Sequence, residues 1–455
     1  MAKIRIVGDS SGYVEIAAPN AAGNNTLELP SGNTRLVGSD SAGNVSISGI
    51  VTAATFSGNV NSTSGVTTVT TLRATSIVGV TTAGITTAYI GSANDGPLSG
   101  ARNRIINGDM RIDQRNSGAS VNVTTSSNTY PVDRFSFEQG GLSSNAGSIQ
   151  RVSDAPVGFT SSVKYTAGSS TFSISDGWGA FHQRIEGFNV SDLKWGTSSA
   201  SPVTLSFWVK ASVAGLYTVN MTHYDGVQER WNNVTYTINS TDTWEYKTMT
   251  FIGDTSRGIV DDNGTNGWMR VYWHLGDGGG ASTTTSFNTW FNGAAANRGA
   301  SGTTNIIGTA GRTWQITGVQ LETGTVATPF ERRSYGQELR LCQRYYQVIT
   351  TGNGLTRIVS GPSKNWIYGQ PMVQMRSSPS VSADITGTNA NRTYVFDDGQ
   401  TGHTVNSGQN LVLSDAGANT NSSYYVSFQS SIVAYNAVRQ PLAMTTGVIF
   451  LSSEL

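Results

Sequence analysis

Val203-Thr204-Leu205-Ser206-Phe207-Trp208-Val209-Lys210 and Trp268-Met269-Arg270-Val271-Tyr272-Trp273-His274-Leu275 alternate at the two-residue period of a strand with one buried face. Tyr217-Thr218-Val219-Asn220-Met221 alternates in the same way, and turns rich in Gly, Asn and Asp separate the three runs. The pattern predicts that residues 101–333 fold as two packed sheets, a β-sandwich of jelly-roll kind. Along Trp268 to Leu275, alternation puts Met269, Val271, Trp273 and Leu275 toward the core. Trp268, Arg270, Tyr272 and His274 fall on the opposite face, which either meets solvent or is covered by a loop or a neighbouring protomer.

On the C-terminal side, residues 334–347 read as a connecting helix, with Tyr335, Leu339, Cys342 and Tyr346 spaced along one buried face. Residues 348–455 return to short strands, predicting a smaller β tip domain. On the N-terminal side, Val51 to Ile90 is built of Thr, Val, Ala and Gly with Arg73 as its one charged residue. Leu72, Ile77, Ile85 and Ile90 form a narrow apolar stripe that one copy cannot cover, whereas three copies wound about an axis could. Residues 49–100 are therefore expected to form a trimeric β-shaft, with a flexible linker as the alternative. In residues 1–48 the run Val7 to Ile16 recurs imperfectly as Val37 to Ile47, each copy a strand, a glycine turn and a strand. Two hairpins are too few to bury a core alone, so a docking partner is expected.

The 455-residue chain carries 29 Lys plus Arg against 29 Asp plus Glu, so its net charge is zero and it offers no basic surface for nucleic acid. Charged residues make up only 13%, while Gly numbers 53, a balance that favours strands and turns over long helices. Cys342 is the only cysteine, which rules out an internal disulfide. Met1 to Ile6 lacks the apolar core of a signal peptide, and no run nears the roughly 18 apolar residues of a membrane span. The expectation is a soluble chain made in a cytoplasm, without membrane insertion.

Several stretches resemble bacteriophage tail fibre proteins. The run Ala101-Arg102-Asn103-Arg104-Ile105-Ile106-Asn107-Gly108-Asp109-Met110-Arg111-Ile112-Asp113-Gln114-Arg115-Asn116, with Tyr130-Pro131-Val132-Asp133-Arg134-Phe135, is similar to the entry of their head domains. Gln183-Arg184-Ile185-Glu186-Gly187, the run from Gln320 to Tyr335, and Cys342-Gln343-Arg344-Tyr345-Tyr346 match the same group. Tyr13 to Pro30 resembles the virion-attached ends of fibres from cyanobacterial phages. The resemblance implies an all-β, elongated homotrimeric fibre with an N-terminal anchor, a β-shaft, a lectin-like jelly-roll head and a C-terminal tip. It implies a virion protein, synthesised in the host cytoplasm, with residues 1–48 docked on a tail or baseplate protein. The distal domains would then bind a host glycan or an outer-membrane receptor. A structural adaptor linking the tail to other fibres and a polysaccharide depolymerase are the alternatives.

Glycan binding is the chemistry the residues support best, because a sugar stacks its apolar face on an aromatic ring and offers its hydroxyls to amides and charges. Candidates are Trp268, Arg270, Tyr272 and His274, then Tyr224 and Trp231, read as loop aromatics, and Trp366 and Tyr368 near the tip, with Tyr394 and Tyr424 of the same quality. Catalysis would need two carboxyls facing one bond. The acidic pairs Asp261-Asp262 and Asp397-Asp398 sit beside glycine and read as turns, so no catalytic residue is assigned and no enzyme is expected. Asp261, Asp262 and Asn263 could donate oxygens to a structural calcium, but their spacing does not fit an EF-hand. No other cofactor is expected, and the four histidines lack zinc-site spacing.

Overall fold

The computed structural model describes residues 3–7, 13–17, 102–123, 128–142, 146–169, 177–280, 282, 287–293, 297–350, 357–360, 365–384, 394–396, 412–420, 423–429, 442–444 and 448–454. Two compact units divide the chain, 1–86 and 87–455. In the first, β1 (Lys3–Val7) and β2 (Tyr13–Ala17) pair antiparallel, with Lys3 opposite Ala17 and Val7 opposite Tyr13. The second hairpin copy and the expected shaft, residues 49–100, lie outside the described residues.

Thirteen strands of the second unit make two sheets: β3 (Val121–Asn122), β4 (Thr129–Val132), β5 (Phe135–Gly140), β6 (Gly147–Val152), β7 (Ser162–Ala167), β8 (Trp178–Glu186), β9 (Val203–Ala211), β10 (Gly215–Tyr224), β11 (Glu229–Ile238), β12 (Glu245–Phe251), β13 (Trp268–Asp277), β14 (Phe291–Asn292) and β15 (Thr313–Thr323). One sheet has seven strands in the order β14-β11-β10-β13-β8-β5-β4, the other six in the order β12-β9-β15-β7-β6-β3. Their pairings are antiparallel throughout. The core lies between the two sheets, as the alternation predicts. Val203, Leu205, Phe207 and Val209 of β9 are wholly buried, as are Met269, Val271, Trp273 and Leu275 of β13. Trp273 meets Phe207 edge-on at 5.6 Å and tilts toward Phe181 at 6.2 Å and Phe135 at 6.5 Å. Each such side chain contributes on the order of 1.5–3 kcal/mol by leaving water. A bulge between Thr317 and Gln320 bends β15, and Gly318 occupies it with φ +62°. A Cβ there would come within 2.7 Å of the Phe159 ring, so both backbone and space call for glycine.

The helix α1 (Tyr335–Gln343) is shorter than the sequence suggested. Ser334 caps it, its Oγ accepting the Gln337 N–H at 3.4 Å. Tyr346 and Gln347 instead open β16 (Tyr346–Thr350), because Tyr, Val, Ile and Thr favour a strand and pairing partners are at hand. Of the expected apolar face, Cys342 and Tyr346 are buried and Leu339 packs beside Cys342, but Tyr335 is 55% exposed and Glu338 is buried as well. Downstream come β17 (Arg357–Ser360), β18 (Asn365–Gly369), β19 (Ser380–Asp384), β20 (Tyr394–Phe396), β21 (Val412–Thr420), β22 (Ser423–Gln429), β23 (Leu442–Met444) and β24 (Val448–Ser452). They form a three-stranded sheet β16-β24-β19, a four-stranded sheet β17-β18-β22-β21, and the pair β20-β23.

Stretches that carry the tail-fibre resemblance meet in one polar knot beside the sandwich. Gln183 exchanges two hydrogen bonds with the Ile106 backbone, each 2.8 Å, and Asn103 Nδ2 donates to the Val319 carbonyl at 3.1 Å. Glu338 accepts the Asn107 N–H and pairs with Arg333 at 3.3 Å. Arg344 grips Glu186 with two bonds of 2.8 and 2.7 Å, and the Tyr345 hydroxyl donates to the same carboxylate. Arg134 lies 3.4 Å over the Tyr345 ring and pairs with Glu454, which Arg115 also reaches at 3.0 Å. A buried charge is tolerable only when paired and hydrogen-bonded, and here the partners are mutual.

Candidate functional site

Strand register assembles the outer face of the seven-stranded sheet. Against β10, Trp268 stands opposite Tyr224, Arg270 opposite Thr222, Tyr272 opposite Asn220 and His274 opposite Thr218. Against β8, the same four face Glu186, Arg184, His182 and Ala180. Further out, Trp231 lies opposite Thr222, and Glu138 opposite Ala180. Successive strand residues point to opposite sides, so these groups share the surface turned away from the core.

Arg270 is the hub of this surface. Its guanidinium bonds Glu229 at 2.7 Å, Glu138 at 3.2 Å and Thr222 Oγ1 at 3.2 Å, and lies 5.0 Å from the Tyr272 ring and 5.3 Å from that of Trp268. Tyr224 stacks on Trp268 with centroids 5.7 Å apart, and Arg184 sits 4.9 Å from the same ring. Around Tyr272 gather Trp178 at 5.6 Å, Trp231 at 6.0 Å and His182 at 6.0 Å. Burial, then Arg270, Arg184 and Arg134, push the His182 imidazole well below its usual value and keep it neutral. Burial first, and Glu138 next, push the Tyr272 phenol well up. Among the described residues that hydroxyl has no hydrogen-bond partner, and neither do Asn220 Oδ1, Trp231 Nε1 and His182 Nδ1.

The solvent-facing reading of the four-residue row is corrected over much of its length. Tyr272 is 0%, His274 2% and Arg270 5% exposed, leaving Trp268 half-buried at the open end. A segment of the same chain covers the closed end. Ser282 Oγ lies 3.2 Å from His274 Nε2, Asn233 Nδ2 donates to the Asn297 carbonyl at 2.8 Å, and Ala300 N donates to Thr218 Oγ1 at 3.0 Å. Arg298 lies 4.3 Å from the Trp178 ring and 5.8 Å from that of Trp231. Tyr224 and Trp231 are not loop residues: Tyr224 ends β10, half-buried, and Trp231 lies in β11, 3% exposed. The open half therefore holds Trp268, Tyr224, Arg184, Glu138 and Glu229, all half-buried.

Arg184, His182, Trp178, Glu138 and Glu229 escaped the sequence reading. Their signal was the alternation of His182, Arg184 and Glu186 along β8, but cross-strand register, which brings them to β13, is absent from a single sequence. His274, Asp277 and Ser282 also meet, yet Asp277 Oδ2 at 3.1 Å and Ser282 Oγ at 3.2 Å both contact Nε2. Nδ1 has no partner among the described residues, so the ring does not relay between serine and aspartate as a catalytic triad requires.

Asp262 organises a turn. Its oxygens accept the backbone N–H groups of Gly264 at 2.7 Å, Asn266 at 2.7 Å and Gly267 at 3.0 Å. Asn263 donates to the Arg376 carbonyl at 3.0 Å, and Asp261 is exposed. Among the described residues no group of three His, Cys, Asp or Glu is placed to hold a metal ion, and no helix is long and apolar enough to cross a membrane. Trp366 and Tyr368 both lie on β18, opposite Ser427 and Tyr425 of β22, while Tyr394 is in β20 and Tyr424 in β22. Asp397 and Asp398 lie outside the described residues.

No protein-family profile matches the chain, and no curated protein matches it. Among solved structures, the enzymatically active domain of tailspike protein 4 of bacteriophage CBA120 is 11% identical with a TM-score of 0.23, covering 42% of this chain. This chain spans only 19% of that tailspike's length. A putative sugar-binding protein of Bacteroides thetaiotaomicron is 12% identical with a TM-score of 0.28, over 49% of this chain and 99% of its own. A structure described as a CBM4 is 16% identical with a TM-score of 0.24, over 48% and 97%. Likenesses this slight say nothing of ligand.

Proposed function

We propose that this chain is the receptor-binding fibre of a phage tail, attaching the virion to a host surface glycan without catalysis. The observation that carries the glycan reading is the open half of the outer face. There a Trp268–Tyr224 stack lies beside Arg184, Glu138 and Glu229 on a rigid sheet. An aromatic plane flanked by charged hydrogen-bonding groups matches the two kinds of surface a sugar presents. A non-catalytic role is supported by Arg270, which engages both Glu138 and Glu229 in ion pairs.

In this reading residues 1–48 anchor the fibre, 49–100 form the trimeric shaft, 101–333 form the jelly-roll head and 348–455 form the tip. Several weak heads engaged together add avidity of roughly 10²- to 10⁴-fold. The test is binding of the full chain to host cells before and after removal of surface polysaccharide. Binding that disappears with the polysaccharide, and weakens about tenfold on Trp268→Ala with little change in melting temperature, is the expected result. Binding indifferent to the polysaccharide, or none, favours a protein receptor or a structural adaptor. Release of reducing ends favours a depolymerase.

A further inference from the structure

Arg184 and Arg270 face each other directly across the β8–β13 pair, on the same side of the sheet. Like charges so placed destabilise a sheet. Arg270 is compensated by Glu138 and Glu229. Arg184 is half-buried; among the described residues no carboxylate comes within ion-pair distance of it and its Nε has no hydrogen-bond partner, although Glu138 and Glu229 attract it from further away. At the open end it lies 4.9 Å from the Trp268 ring, itself backed by Tyr224. A planar guanidinium with free donors suits a carboxylate, which it grips through two parallel bonds, and the adjoining ring suits the apolar face of the sugar bearing that carboxylate.

Resting on the glycan reading above, we propose that Arg184 and Trp268 form a subsite for an acidic sugar, a uronate or a related carboxylate-bearing residue. Glu138 and Glu229, already held by Arg270, take hydroxyls of the same or the adjoining sugar. Burial and then Arg270 hold the Arg184 guanidinium below its usual value against the opposing pull of Glu138 and Glu229, and a bound anion would add to that pull.

The test uses the full chain and a panel of acidic glycans (oligogalacturonate, oligoalginate, sialyllactose and host polysaccharide). Each is paired with its carboxyl-reduced form, and neutral oligosaccharides are included. The acidic forms are expected to bind about ten- to a hundredfold more tightly than their reduced partners. Arg184→Met should erase that difference while leaving binding of the reduced forms in place, and Arg184→Lys should restore part of it. Trp268→Ala should weaken both forms alike. Equal binding of the two forms, or a preference that survives Arg184→Met, overturns the acidic subsite and leaves the glycan reading standing. Failure to bind any member overturns both. If Arg184→Met does not fold, the comparison of paired forms on the unaltered chain still decides.

Discussion

Two tryptophans five residues apart on one strand have opposite work. Trp273 points inward and is wholly buried among phenylalanine rings, so Trp273→Ala should cost about 3–5 kcal/mol in urea unfolding. Trp268 points outward, and its loss should be felt in binding. Their parity was legible in the sequence, because alternation along one strand is a local property. The exposure of the outward residues was not, since it depends on Ser282, Arg298 and Ala300 lying over the closed end of the face. Asp133 offers a further test. Burial pushes its carboxyl up to about 6, against the opposing pull of Arg115 and the Gln114 hydrogen bonds. Because the folded-state value is raised, its stabilising contribution is full below about 3.8 and is lost as pH climbs through about 6. The loss is on the order of 3 kcal/mol. Asp133→Asn removes this dependence. Unfolding free energies of the two proteins at pH 4 and pH 7 should therefore shift toward the variant by a similar amount as pH rises.

Among the elements, β9 and β13 were readable because they lie in sheets with one face on the core. The helix was readable in place and misjudged in extent. Its last turn competes with β16, whose partner β24 lies about a hundred residues downstream, a pairing no local spacing could reveal. Arg115, Arg134, Gln183, Glu186, Arg344 and Tyr345 were recognised as motif residues, yet nothing in their spacing said that they touch. The structure gives them a common task, fastening the arm 102–116, the helix and β24 to the sandwich. Glu454 matters most to that fastening because it serves both Arg115 and Arg134, the latter with a side chain only 2% exposed. Glu454→Ala strands a buried guanidinium and should cost about 3–5 kcal/mol in chemical denaturation, while Glu454→Asp should retain part of the pairing.

For the whole molecule, the proposed shaft makes a mass prediction. The 48.1 kDa chain should elute as a trimer in light scattering coupled to size exclusion, and a monomer would remove the reason for reading residues 49–100 as a shaft. With charged residues at 13%, that assembly should be nearly indifferent to salt. The knot also bears on how the protein is made. Glu454 follows Arg115 by 339 positions and Arg134 by 320. A ribosome adding about 5–20 residues per second leaves the two arginines waiting for their counter-ion on the order of tens of seconds. Throughout that interval the Glu454 contact is missing, although the Gln183–Ile106 and Arg344–Glu186 bonds can already form. Degradation enzymes that sample loosely closed chains would thus act preferentially on polypeptides in which this contact has not yet formed.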